Sequence, residues 1–185
     1  MGGKTFTKNP INGTKFTIAI SSAKGGVGKS TFATNLALAL KKKGCKVGLL
    51  DADIYGPSIP RMLGLSGQPE LEEGLMIPPE NHGVACNSMG FLVPEDAATV
   101  WRGPMVTKAL AKLARGTNWS AVISGQRSAV SGSKVKLLVD FPPGTGDVQL
   151  SMAQQVPLGG AIIVTTPQDV ALADVRKAAD MFKKL

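Results

Sequence analysis

The chain is 185 residues long, 43% hydrophobic and 18% charged, and its 21 Lys+Arg against 13 Asp+Glu give a formal net charge of +8. This length and apolar content suit one globular domain with one sizeable core, and they exclude a disordered or fibrous chain. No apolar run is long enough to span a membrane, so no stable membrane insertion is expected. The two cysteines, Cys45 and Cys86, stand far apart in or beside apolar stretches; they give no disulfide framework and read as small buried hydrophobes in a reducing compartment.

The positive balance invites a nucleic-acid or anionic-surface reading. Against it, Lys24 and Lys29 fall inside a glycine-rich segment, and Lys41 to Lys43 and Lys183 to Lys184 look like solvated helix ends, so no nucleic-acid partner is expected. Residues 1–15 carry Lys4, Lys8 and Lys15 but no acid. They are expected to form a flexible N-terminal segment with a faint organellar-presequence character, ahead of one domain over residues 16–185.

In chain order, the apolar run Phe16 to Ile20 predicts a strand and the pattern from Phe32 to Leu40 a helix. Between them lies Ser22-Ala23-Lys24-Gly25-Gly26-Val27-Gly28-Lys29-Ser30-Thr31. Strand, glycine-rich turn and helix N-terminus aim backbone N–H groups and a positive dipole end at one point, which suits nucleotide phosphates. The predicted nucleotide-binding residues are Ala23, Lys24, Gly25, Gly26, Val27, Gly28, Lys29, Ser30 and Thr31. Lys29 would contact the terminal phosphates, and Ser30 would give its hydroxyl to Mg²⁺. The usual pattern has glycine where Ala23 stands, and Lys24 follows it. A charged residue in a tight phosphate cradle is hard to explain as packing; the alternative is a solvated loop lysine.

Gly44 is predicted to end this helix, and Lys46 to Leu50 to form a buried strand running into Asp51-Ala52-Asp53. Carboxylates at such strand ends face the crevice where parallel sheets bind ligands. Asp53 is the candidate for orienting an attacking water and Asp51 for supporting the metal from behind, unless either only caps the next turn. Ile54 to Pro60 reads as a stiff loop suited to sensing a terminal phosphate. Downstream, Val135 to Val139 predicts a strand closed by Asp140 and followed by Phe141-Pro142-Pro143-Gly144-Thr145-Gly146-Asp147. Asp140 is the candidate to hold Mg²⁺ with Ser30, and Gly144 is expected to offer its N–H to the γ-phosphate. Gly160 to Thr165 predicts another buried strand. Ala171 to Leu185 predicts a helix with Leu172, Val175, Ala179 and Phe182 on one side, and Met89, Met105 and Met181 read as core filler. The alternation predicts an α/β fold with a mostly parallel sheet between helices, and the paired acidic strand end and phosphate loop point to a nucleoside triphosphatase. Guanine specificity is disfavoured because no Asn-Lys-x-Asp segment occurs.

Four segments together, Ala23 to Ser30, Asp51 to Pro60, Trp101-Arg102-Gly103-Pro104-Met105 and Asp140 to Asp147, resemble the Mrp/NBP group of deviant P-loop ATPases over most of residues 10 to 185. Gly83 to Val93 is most similar to its mitochondrial branch, the nucleotide-binding-protein-like assembly factors of respiratory complex I. The resemblance implies the three-layer P-loop NTPase fold, ATP and Mg²⁺ as cofactors, and catalytic roles for Lys24 and Asp53, with Lys24 reaching the partner subunit's nucleotide in a homodimer. It also implies an ATP-dependent carrier that delivers a [4Fe-4S] cluster to apo iron–sulfur proteins, in the mitochondrial matrix or alternatively the cytoplasm.

Two departures limit what the resemblance implies. The family's cluster-bridging Cys-x-x-Cys pair lies beyond the helix ending at Leu185, so this chain is expected to be C-terminally truncated, with an unfinished sheet and no iron–sulfur ligands of its own. Between Trp119 and Asp140 the chain is longer than the family pattern, and residues 120–134 are expected to be an inserted flexible surface loop. The competing readings are a partitioning or positioning ATPase acting on DNA or a membrane surface, and a catalytically dead nucleotide-binding fragment.

Overall fold

The computed structural model describes residues 10–92, 103–123, 135–144 and 146–184. The expectations for residues 1–9, Trp101, Arg102, Thr145 and residues 124–134 of the insertion expected at 120–134 lie outside these residues; residues 120–123 of that insertion fall in the 3₁₀ turn Trp119–Ile123. In chain order the elements are β1 (Thr14–Ser21), α1 (Lys29–Lys42), β2 (Val47–Asp51), α2 (Ile59–Leu63), β3 (Glu70–Glu72), β4 (Leu75–Ile77), β5 (Glu80–Asn81), β6 (Val84–Ser88), α3 (Gly103–Arg115), β7 (Val135–Asp140), α4 (Asp147–Gln155), β8 (Gly160–Ile163) and α5 (Asp169–Lys183), with 3₁₀ turns at Met89–Phe91 and Trp119–Ile123.

Among the described residues one sheet has the order β5-β6-β2-β7-β1-β8, parallel except for the short β5. The apolar runs of β2 and β7 are buried because helices cover both faces of their sheet. On one face Leu49 and Leu138 pack with Ala33 and Ala37 of α1 and Leu63 of α2. On the other, Leu50, Leu137 and Val139 pack with Leu110 and Leu113 of α3 and Met152 of α4. Successive residues of β7 thus feed opposite cores, each large aliphatic side chain contributing about 1.5–3 kcal/mol on burial. The register aligns Ser88, Asp51 and Asp140 at neighbouring strand ends, with Ile20 beside Asp140, so the acidic residues converge at the C-terminal edge of the sheet.

Gly48 in β2 is required by a close approach. A Cβ there would lie 2.7 Å from the six-membered ring of Trp119, which is fully buried and donates its indole N–H to the Ala114 carbonyl at 2.9 Å. Gly48→Ala is therefore expected to cost about 1–3 kcal/mol by overpacking, measurable as an earlier midpoint in urea unfolding.

Several expectations need correction. The boundary at residue 16 falls too late, because Ile11 is only 2% exposed and packs into the core while β1 starts at Thr14. β8 is not a buried strand: among the described residues it pairs only with β1, and Gly160 and Ala161 are exposed. The inner face of α5 carries Ala171, Val175, Ala178 and Phe182, one helical register away from Leu172, which is 40% exposed. Phe182 reaches the core edge-on to Phe141, with ring centroids 6.1 Å apart. Met89 is core, whereas Met105 is exposed and Met181 half-buried.

Candidate functional site

The glycine-rich segment turns between β1 and α1 with Gly26 at φ 76° and Gly28 at φ 87°. A Cβ would meet nothing at either position, so the requirement is conformational: only glycine takes these backbone angles without strain. Gly28 is also the N-cap of α1 and provides no side-chain cap, and no acid stands in the first turn. The opening amides and positive dipole end of a 14-residue helix are therefore left for an external anion.

These amides border a cavity of about 370 Å³ lined by Gly25, Gly26, Gly28, Lys29, Ser30, Thr31 and Asp53. Ser22, Gly56, Ser58, Met62 and Pro143 complete the wall. Of these, Gly56 and Ser58 belong to the loop already singled out after Asp53, Ser22 and Pro143 flank the two motifs, and Met62 on α2 has no sequence signal. Ala23, Lys24 and Val27 do not line the cavity, and Lys24 is exposed.

Behind the cavity, Lys29 Nζ lies 2.8 Å from Asp140 Oδ1 and 3.9 Å from Asp53 Oδ2, and Ser30 Oγ donates to Asp140 Oδ2 at 2.6 Å. Lys29 is 6% exposed and Asp140 fully buried. Burial pushes the Asp140 carboxyl above its ordinary range although the Lys29 charge and the bonds from Lys29 and Ser30 oppose the shift. One lysine facing two carboxylates leaves the site short of positive charge, and a polyphosphate would worsen the repulsion. A divalent cation resolves this. The hydroxyl of Ser30 and carboxylate of Asp140 are hard oxygen donors that suit Mg²⁺.

Two expected roles change on inspection. The Gly144 N–H donates to the Ser22 carbonyl at 2.8 Å, so it is not free for a γ-phosphate, and Pro143 rather than Gly144 meets the cavity. The second concerns Asp51. Its Oδ2 accepts from the amides of Ser58 and Ile59 at 3.1 and 3.2 Å and from the Ser88 hydroxyl at 3.2 Å, and its Oδ1 accepts from the Asp53 amide at 3.2 Å. These bonds make Asp51 the anchor of the loop and the cap of α2, the alternative to metal support. Burial, aided by the Asp140 charge and opposed by the Ile59 and Asp53 amides, pushes its carboxyl from the ordinary 3.8 up to about 7. In the chain without metal or nucleotide, folding therefore takes up a proton at Asp51. Its contribution to stability is full below the unfolded value near 3.8 and is lost as pH rises to about 7. Asp51→Asn is expected to reduce the fall in stability over that range, checked by urea unfolding at a series of pH values.

Cys86 is fully buried and burial pushes its thiol up, away from the thiolate a metal requires. Cys45 is half-buried and accepts a hydrogen bond from Lys136 Nζ at 2.9 Å.

The family described as "ParA: NUBPL iron-transfer P-loop NTPase" matches residues 13–185. The chain is 51% identical to the Arabidopsis thaliana protein named "Iron-sulfur protein required for NADH dehydrogenase, mitochondrial", over 100% of this chain and 55% of that one. It is 53% identical to the "Iron-sulfur cluster carrier protein" of Escherichia coli strain K12, over 95% of this chain and 45% of that one. Among solved structures, the nucleotide-binding protein of Archaeoglobus fulgidus in complex with ADP superposes with a TM-score of 0.75 at 34% identity, over 94% of this chain and 63% of that chain. The chain thus spans about half the length of the curated relatives it matches. With an uncapped glycine-rich helix start, a lysine and serine on a buried strand-end aspartate, and a match over residues 13–185, this chain belongs to the NUBPL iron-transfer P-loop NTPase family.

Proposed function

We propose that the chain is the ATP-binding and ATP-hydrolysing domain of a [4Fe-4S] cluster carrier that works as a homodimer and delivers clusters to apo iron–sulfur proteins, those of respiratory complex I among them. The observation that carries this reading is the Lys29–Ser30–Asp140 cluster at the start of an uncapped helix, in a chain of the iron-transfer family. The mitochondrial protein of Arabidopsis thaliana supports a place in the mitochondrial matrix; the bacterial relative keeps the cytoplasm as the alternative. The ADP complex of the Archaeoglobus fulgidus protein supports a nucleotide in the same loop here.

In this mechanism the amides of Gly25 to Ser30 hold the phosphates. Lys29, 2.8 Å from Asp140, contacts the terminal phosphates, and Ser30 and Asp140 are the residues that would hold Mg²⁺. When bound, Mg²⁺ supplies neutralisation of the charge gathering on the phosphate oxygens. Asp53, 9% exposed on the cavity wall, orients a water in line with the bond between the terminal phosphorus and its bridging oxygen. The water oxygen bonds to phosphorus as that bond breaks, leaving ADP and phosphate. Lys24, exposed and outside its own cavity, neutralises transition-state charge in the site of a second copy.

The cluster is cargo, and its ligands are proposed to come from the Cys-x-x-Cys pair that the family carries beyond residue 185. Anaerobic reconstitution of this chain, beside a version extended through that pair, tests the reading by absorbance in the thiolate-to-iron charge-transfer region. A cluster on the extended protein alone supports it. A stable cluster on the 185-residue chain would make Cys45 or Cys86 a ligand and overturn this assignment of the cargo site.

A further inference from the structure

The loop that carries Asp53 is held at both ends by one side chain. Asp51 Oδ1 takes the Asp53 amide, while Oδ2 takes the amides of Ser58 and Ile59, where α2 begins. Asp53 then accepts from the Tyr55 amide at 3.2 Å, which fixes its carboxylate between the two grips. The remaining donor to Asp51 comes from outside the loop. It is the hydroxyl of Ser88, at the end of the neighbouring β6, 3.2 Å from Oδ2 and itself the acceptor of the Gly90 amide at 3.0 Å. The β2–β6 register sets Ser88 directly beside Asp51. Both residues are fully buried, so water cannot replace the bond at no cost.

We propose that Ser88 is a positioning residue for the phosphate site: its hydroxyl, through the Asp51 carboxylate, locks the loop that places Asp53 against the terminal phosphate. The inference rests on the nucleotide-hydrolysis reading for its kinetic consequence but not for the lock itself. The sequence reading places Ser88 within the Gly83 to Val93 segment but gives it no role, since it lies at the end of a strand far from the glycine-rich loop. The geometry assigns it because its hydroxyl donates to Asp51 Oδ2 and accepts from the Gly90 amide, bonding both at once. The same bond lies behind a neighbouring cavity of about 830 Å³ lined by Ile54 to Pro57, Pro60, Arg61, Leu65 to Gln68 and Met89 to Leu92.

The test compares wild type, Ser88→Ala and Ser88→Thr. Hydrogen exchange read at the Ser58, Ile59 and Gly90 amides of the nucleotide-free chain is expected to quicken about tenfold in Ser88→Ala, the order of one lost buried hydrogen bond, and to return in Ser88→Thr, which keeps the hydroxyl. ATP hydrolysis by Ser88→Ala is expected to show kcat lowered about tenfold with KM and ADP affinity within twofold, because binding uses the glycine-rich loop and turnover uses Asp53. A purely structural serine would lower thermal stability and free the Gly90 amide yet leave kcat of the folded protein and exchange at Ser58 and Ile59 as in wild type, and that result would overturn the proposal. If the wild-type chain does not hydrolyse ATP, the hydrolysis reading fails instead, while unchanged exchange at Ser58 and Ile59 would separately sink the lock.

Discussion

Lys24→Ala is expected to lower kcat for ATP hydrolysis about a thousandfold while leaving nucleotide affinity within a few-fold. The cradle that binds phosphate is built from the amides around Gly26 and Gly28 and from Lys29, whereas the Lys24 side chain is exposed and does not line it. A cation that meets the phosphates only in the assembled dimer contributes to the transition state and hardly to ground-state binding, as an arginine finger does, and such groups are worth roughly a thousandfold or more. Mixing gives a sharper check. Lys24→Ala retains an intact cradle, and Lys29→Ala retains the reaching lysine, so the two inactive proteins together should recover turnover in mixed dimers. Equal loss of binding and turnover in Lys24→Ala, or no recovery on mixing, would count against a lysine acting across the interface.

The second large effect is expected at Asp140. Asp140→Asn should reduce Mg²⁺-dependent hydrolysis by about a hundredfold to a thousandfold, the scale of several kcal/mol of charge stabilisation supplied through a metal. The same substitution should leave the melting temperature of the nucleotide-free chain unchanged or raise it. Asp140 is fully buried and burial pushes its carboxyl upward despite Lys29 and Ser30, so the fold holds this charge less readily than water does. An amide keeps an oxygen for Lys29 and an –NH₂ for Ser30 Oγ. The charge at this position therefore serves the ligand at a cost to the fold, a common state of affairs at functional sites. Calorimetry without ligand beside hydrolysis assays with and without Mg²⁺ would check both halves. A large loss of stability together with retained turnover would contradict this assignment.

How far the residues alone led follows from what each piece of the site depends on. The glycine-rich loop and the two acidic strand ends were legible because they are local: a strand, a turn needing positive φ at Gly26 and Gly28 and a helix start lie within a single contiguous stretch. The α/β layering was legible for the same reason, from apolar runs such as Leu49-Leu50 and Leu137-Leu138-Val139 that suit strands covered on both faces. What was not legible depends on register and direction. The Gly144 amide turns to Ser22 and the Ser88 hydroxyl to Asp51 because neighbouring strands bring these pairs together, and the loop after Asp53 folds back to set the Ser58 and Ile59 amides on Asp51; no spacing rule records either. Leu172 fell on the wrong face of α5 for a related reason: a one-residue error in phase rotates a helix by about 100°. Gly48 appeared as an ordinary strand residue until the ring of Trp119 was found over it.

The central claim is that the Lys29–Ser30–Asp140 cluster serves a Mg²⁺-dependent ATP hydrolysis completed by a second copy of the chain. Its most direct test is the specific rate of ATP hydrolysis by this chain, measured with and without Mg²⁺ over a wide range of protein concentration. The account predicts a rate that requires Mg²⁺ and rises with concentration until dimers saturate. Hydrolysis independent of Mg²⁺, or a specific rate that stays flat while the chain passes from monomer to dimer, would contradict it.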